Sequence, residues 1–197
     1  MAKKVADQLV DTLEKAGVRR IYAVTGDSLN EVNEAVRKNG RLRWIHVRHE
    51  ETGAYAAAAE AQLTGELACC AGSSGPGHVH LINGLYDAQR SGARVLAIAS
   101  TIPSREFGTE YFQETNTIKL FDDCSYYNQV ATTPEQFPRM LQGAMQAAIS
   151  SCGVGVIGLP GDLAAENATA CLSSTFSYAT TGLSRRTGNP GISGFVE

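Results

Sequence analysis

Four unbroken apolar runs constrain this chain more than any other feature: Ile21-Tyr22-Ala23-Val24, Leu67-Ala68-Cys69-Cys70-Ala71, Val95-Leu96-Ala97-Ile98-Ala99 and Val154-Gly155-Val156-Ile157-Gly158-Leu159. A strand with one wet face alternates polar and apolar residues, whereas a strand that reads apolar throughout is covered on both faces. Segments of helical period separate the runs. Val5, Leu9, Leu13 and Ala16 recur at helical spacing before Gly17, and Leu29, Val32 and Val36 do so before Gly40. Residues 50–63 are rich in alanine, the strongest helix former. Val79, Leu81, Ile82 and Leu85 predict a helix over 78–90, which draws in an Asn83-Gly84 pair that would otherwise signal a hairpin. A short helix is expected at 117–122 and a longer one from Pro134, carrying Phe137, Met140, Leu141, Met145 and Ile149. With weaker strands at 42–47 and 129–131, the alternation predicts an α/β fold. Its sheet is doubly wound and mostly parallel, of about six strands, with helices on both faces.

This pattern fills residues 1–165, the size of one domain. Residues 166–197 are rich in Gly, Ser and Thr without sustained periodicity, and read as a poorly ordered tail. A formal net charge of −3 gives no basis for binding nucleic acid or an acidic membrane. No apolar run approaches the roughly 18 residues of a membrane span, and no secretory leader is evident, so a cytoplasmic protein is expected. The cysteines number five, with two adjacent and no C-x-x-C. That argues against a disulfide framework and leaves Cys69 and Cys70 as small buried hydrophobes.

Ligands of doubly wound sheets gather at the carboxyl ends of the strands. Four segments leave strands there: Thr25-Gly26-Asp27-Ser28, Arg48-His49-Glu50-Glu51, Ser73-Ser74-Gly75-Pro76-Gly77-His78, and the loop holding Tyr111-Phe112-Gln113-Glu114. In a parallel sheet they share one edge. Glu50 starts a helix, where a carboxylate is favoured by the helix dipole even on an open surface; a proton-exchanging role requires burial. Gly75-Pro76-Gly77 offers backbone amides near a helix start, or merely a tight turn, and fits neither common phosphate-binding glycine pattern. His78 and His80 are two apart and would not share a helix face. His46 and His49 have no evident partner, so no metal site is expected from this chain alone.

In order and at fitting intervals, the following segments carry a resemblance: Val24-Thr25-Gly26-Asp27-Ser28-Leu29-Asn30, Arg48-His49-Glu50-Glu51, Ala71-Gly72-Ser73-Ser74-Gly75-Pro76-Gly77, His80-Leu81-Ile82-Asn83-Gly84-Leu85, Tyr111-Phe112-Gln113-Glu114 and Leu159-Pro160-Gly161-Asp162. Over about residues 4–165 the chain resembles the N-terminal pyrimidine-binding (Pyr) domain of thiamine-diphosphate enzymes. The nearest members are pyruvate oxidase and the ubiquinone-linked pyruvate dehydrogenase, and acetolactate synthases share several motifs.

The resemblance implies a catalytic Glu50 that hydrogen-bonds the aminopyrimidine ring. That contact promotes the imino tautomer, which takes the thiazolium proton so that the carbon attacks pyruvate and decarboxylation follows. It places Gly26, Asp27 and Ser28 beside the thiazolium, and Ser74, Gly75, Pro76 and Asn83 along the pyrimidine. Phe112 and Gln113 fall beside the substrate, near the flavin in the oxidases. In full members a separate domain holds the diphosphate through magnesium, and a middle domain holds FAD. No G-D-G and Asn pattern follows residue 165. The chain is therefore expected to carry half a thiamine diphosphate site, truncated or split and inactive alone. Its expected partner is a homo-oligomer or a chain with the diphosphate-binding domain. The alternatives are a non-catalytic oligomerisation or regulatory module that binds a complete enzyme, or the Pyr subunit of a two-chain 2-oxoacid decarboxylase or acetolactate synthase.

Overall fold

A computed structural model describes residues 2–169. The predicted disorder of the tail falls almost wholly outside them. Helices and strands alternate as α1 (Val5–Lys15), β1 (Arg20–Ala23), α2 (Asn30–Asn39), β2 (Arg43–His46), α3 (Glu50–Thr64), β3 (Ala68–Gly72), α4 (Pro76–Val79), α5 (Ile82–Ser91), β4 (Val95–Thr101), α6 (Thr117–Phe121), β5 (Tyr127–Val130), α7 (Phe137–Ser151), β6 (Val154–Pro160) and α8 (Gly161–Ala165). Every residue of β3, β4 and β6 is buried, which is why each holds an unbroken apolar run.

The six strands pair in the order β2-β1-β3-β4-β6-β5, all parallel. The longest register joins β4 to β6, from Val95 opposite Val154 to Thr101 opposite Pro160. Successive side chains point to opposite faces, so the sheet divides the core in two. Cys69, Leu96, Ile98, Ile157 and Leu159 pack with α1, α2, α7 and α8. Cys70, Ala97, Ala99, Val154 and Val156 pack with α3, α5 and α6. The adjacent cysteines thus serve different halves of the core. Burial pushes the Cys70 thiol up to about 12 and Cys69 well above its ordinary value, so both stay protonated and behave as hydrophobes.

Close approach of the layers depends on small residues. A Cβ at Gly84 of α5 would lie 2.5 Å from the Ala54 Cβ and 2.7 Å from the Tyr55 backbone nitrogen on α3. One at Gly155 of β6 would lie 2.1 Å from the Ala144 carbonyl oxygen on α7. Gly65 closes α3 with φ +72°, its amide donating to the Ala61 carbonyl at 2.8 Å, the left-handed terminus that glycine favours.

The helix predicted over 78–90 is broken. It begins at Pro76 and is interrupted at His80 and Leu81, where the Leu81 amide bonds the His78 carbonyl three residues back. That tighter turn separates α4 from α5 and directs His80 away from the core. The helix expected from Pro134 starts at Phe137, because residues 133–136 form a turn first. The short α8 carries no apolar stripe long enough to be read in advance. Among the described residues, no helix is long and apolar enough to cross a membrane.

Candidate functional site

Strand β1 lies between β2 and β3, so the chain winds one way from β1 to β2 and the other way from β3 onward. In open α/β sheets, ligands bind outside the carboxyl ends of the strands at such a reversal point. The loop after β1 carries Gly26, Asp27 and Ser28, and the loop after β3 carries residues 73–75. They touch directly. A Cβ at Gly26 would lie 2.3 Å from the Ser73 Oγ. The Ser74 amide donates to the Ser28 Oγ at 2.9 Å, and the Ser28 and Ser73 hydroxyls are 2.9 Å apart. The buried Ser100, next to the end of β4, shares its one hydroxyl proton between the Ser28 carbonyl at 2.8 Å and the Leu159 carbonyl at 3.0 Å. Three strand ends are thereby tied together.

The fourth segment joins through Gln113, whose Oε1 accepts from the Ser74 hydroxyl at 3.1 Å. Gly75 permits this contact: its φ is +67°, and a Cβ there would meet the Gln113 backbone at 3.2 Å. The long loop after β4 is held at both ends. Glu114 accepts from the Gly108 and Glu110 amides at 2.7 and 3.1 Å. Asp162 accepts from the Ser104 amide at 2.9 Å and the Ser104 hydroxyl at 2.7 Å. Burial pushes the Asp162 carboxyl up, but these bonds and the Leu163 amide outweigh it and hold the group below its ordinary value.

Glu50 is the first residue of α3 and only 8% exposed. Of the two situations open to an acid at this position, the structure gives the buried one. Its Oε2 accepts from the His80 Nδ1 at 3.1 Å. A Cβ at Gly77 would lie 3.3 Å from its Oε1, so the carboxylate sits against the turn that follows β3. The His80 ring stacks on His49 with centroids 4.4 Å apart.

His78 turns the other way and is buried. Its Nδ1 is 2.7 Å from the Ser100 carbonyl and its Nε2 is 2.6 Å from the Thr115 Oγ1. A carbonyl only accepts, so Nδ1 carries the proton and Nε2 accepts from Thr115. Burial lowers the His78 pKa, and the bond to Ser100 opposes this only in part. A histidine kept neutral in the fold gives stability that is fully present above its unfolded value of 6.5 and lost as pH falls through the lower folded value. Thermal melts are therefore expected to drop between pH 7 and pH 5 in the native chain, and less steeply in His78→Gln. Equal slopes in the two proteins would remove His78 as the cause.

Gly26, Ser28, Ser74, Gly75 and Gln113 thus meet at one rim, with Glu50 and Gly77 facing each other beside them. Asp27, Pro76 and Asn83 are exposed, and Phe112 is 81% exposed; no hydrogen bond of their side chains joins them to the group. Sequence reasoning missed Ser100, and it gave Ser73 and His80 no role of their own although both lie in segments it singled out. A single serine, in a loop like Ser73 or in a strand like Ser100, carries no signal of its own. His80 meets Glu50 across 30 positions of sequence, and only the break between α4 and α5 brings it there.

The family described as "Thiamine pyrophosphate enzyme, N-terminal TPP binding domain" matches residues 3–120. An "Uncharacterized 42.6 kDa protein in isoamylase 3'region" of Pseudomonas amyloderamosa is 56% identical over 161 residues, covering 82% of this chain and 41% of that protein. Pyruvate oxidase of Lactiplantibacillus plantarum is 38% identical over 156 residues, 79% of this chain and 26% of the enzyme. Acetolactate synthase 3, chloroplastic, of Brassica napus is 32% identical over 162 residues, 82% of this chain and 25% of the enzyme. The chain therefore spans between a quarter and two fifths of the length of these relatives.

Proposed function

Since the chain belongs to the thiamine pyrophosphate enzymes through their N-terminal TPP binding domain, we propose that it supplies the pyrimidine-facing half of a thiamine diphosphate site in an enzyme that decarboxylates a 2-oxoacid, pyruvate foremost. The single observation that carries this reading is the burial of Glu50 against the turn that follows β3. The surroundings fit a flat heteroaromatic ring. Gly77 leaves the Oε1 edge of the carboxylate free of a side chain, and Ser74 and Gly75 form a narrow wall.

When bound, thiamine diphosphate supplies a nucleophilic carbon for the keto group and an acceptor for the electrons of decarboxylation. The chain's own residues do the rest on this side. Glu50 exchanges a proton with a ring nitrogen held against it. His80 fixes the carboxylate through Oε2 and leaves Oε1 for the ring. Ser28, Ser73 and Ser74 keep the rim rigid, so that geometry is set before the ligand arrives. Gln113 and the exposed Phe112 stand where a small acid would enter.

The diphosphate, its magnesium and any FAD belong in this reading to stretches of polypeptide outside these 197 residues. Half a site binds weakly because the strongly charged end of the cofactor is left without its contacts. Calorimetry with magnesium and thiamine diphosphate tests this. The chain alone is expected to bind more weakly than about 100 µM, and the chain combined with the diphosphate-binding half of a relative at least about tenfold tighter. Tight binding to the chain alone, or no gain in the combination, contradicts the division of the site.

A further inference from the structure

We propose that His49, Glu50 and His80 form a site for a borderline-soft divalent cation, best met by Zn2+, at the start of α3. One ligand atom from each residue lies within 4.8 Å of the other two. Two imidazoles and a carboxylate are a complete protein ligand set for zinc, with a fourth position left open. The spacing agrees with the chemistry. Bonds of 2.0–2.1 Å place tetrahedral ligand atoms about 3.3 Å apart, and the His80 Nδ1 to Glu50 Oε2 distance is 3.1 Å. The stacked His49 ring brings the third ligand alongside, with its Nδ1 3.8 Å from the Glu51 Oε2.

The rings of His49 and His80 are nearly half exposed while Glu50 is buried. An ion can therefore enter from solvent and bind the acid from outside. Magnesium is excluded by the same donors, since it demands near-octahedral oxygen ligation. The site is thus distinct in kind from a diphosphate-bound magnesium. Zinc seated here takes the carboxylate of Glu50 and the Nδ1 of His80, whose proton moves to Nε2 or leaves to solvent. If the cofactor reading above holds, the metal and the pyrimidine ring exclude one another; the metal site itself stands without that reading.

The test uses the purified full chain, titrated with Zn2+ against a chromogenic chelator, with thiamine diphosphate absent. The expected result is one ion per chain, unaffected by excess Mg2+. Affinity should fall about tenfold or more in each of His49→Ala and His80→Ala. Co2+ in place of Zn2+ should give visible absorption without a thiolate charge-transfer band, which separates this site from the cysteines. Because His49 is a surface residue, its variant decides the matter even where His80→Ala fails to fold. Retained affinity in a folded histidine variant, a thiolate band, or native affinity weaker than about 1 mM overturns the proposal. Cofactor binding measured in zinc-free buffer is a separate result, so each reading can fail alone.

Discussion

Glu50→Gln is expected to lower turnover of an assembled enzyme by about 10²–10⁴-fold, the usual worth of a positioned proton-transfer group, with the melting temperature nearly unchanged. The asymmetry follows from the contacts. Glutamine has the volume of glutamate and keeps an oxygen to accept from the His80 Nδ1. The small buried space against Gly77 stays filled. What disappears is the ability to hold a proton and return it. Glu50→Asp keeps the acid but withdraws it by one methylene, and should fall between the two. Saturating cofactor in both proteins separates this loss from weaker binding. Native turnover in Glu50→Gln would take position 50 out of the chemistry.

Gly155→Ala is the substitution expected to damage the fold most. The added Cβ would stand 2.1 Å from the Ala144 carbonyl oxygen and 2.8 Å from its carbon. Both are backbone atoms in the middle of α7, which cannot rotate aside as a side chain does. Either α7 lifts from β6 or the strand bends, and Met145, Leu141 and Ile157 share that interface. Overpacking of this kind costs about 3 kcal/mol, at the upper end of the usual range, or roughly 6–12 °C in a domain of this size. Ala144→Gly should not rescue the variant, because the clash is with a carbonyl rather than a methyl group. Rescue by that second change, or a native melting temperature in Gly155→Ala, would show that the layers are less tightly apposed.

The doubly wound sheet was legible because its central strands are buried on both faces and hold apolar runs that no polar residue interrupts, Ser100 and Thr101 coming only at the end of β4. Edge strand β5 was harder. Only Asn128 of its four residues is buried, and the expected span at 129–131 slid along it. Glycine and serine at the ends of β1 and β3 marked the rim, since two backbones that nearly touch admit few other residues. The burial of Glu50 could not be read locally. Its first-turn position suits a surface carboxylate equally well, and the groups that enclose it, Gly77 and His80, lie on another element. The same limit hid His80. Helical spacing correctly separates it from His78, but it does not reveal that one ring enters the core while the other meets an acid from α3.

The central claim is that the carboxylate at position 50 governs proton traffic at the cofactor, before any substrate binds. Deuterium exchange at the thiazolium C2 of bound thiamine diphosphate, followed by rapid acid quench and NMR, measures this without turnover. The native assembly should exchange at least about a hundredfold faster than Glu50→Gln. Equal exchange rates in the two proteins, at matched cofactor occupancy, would contradict the assignment.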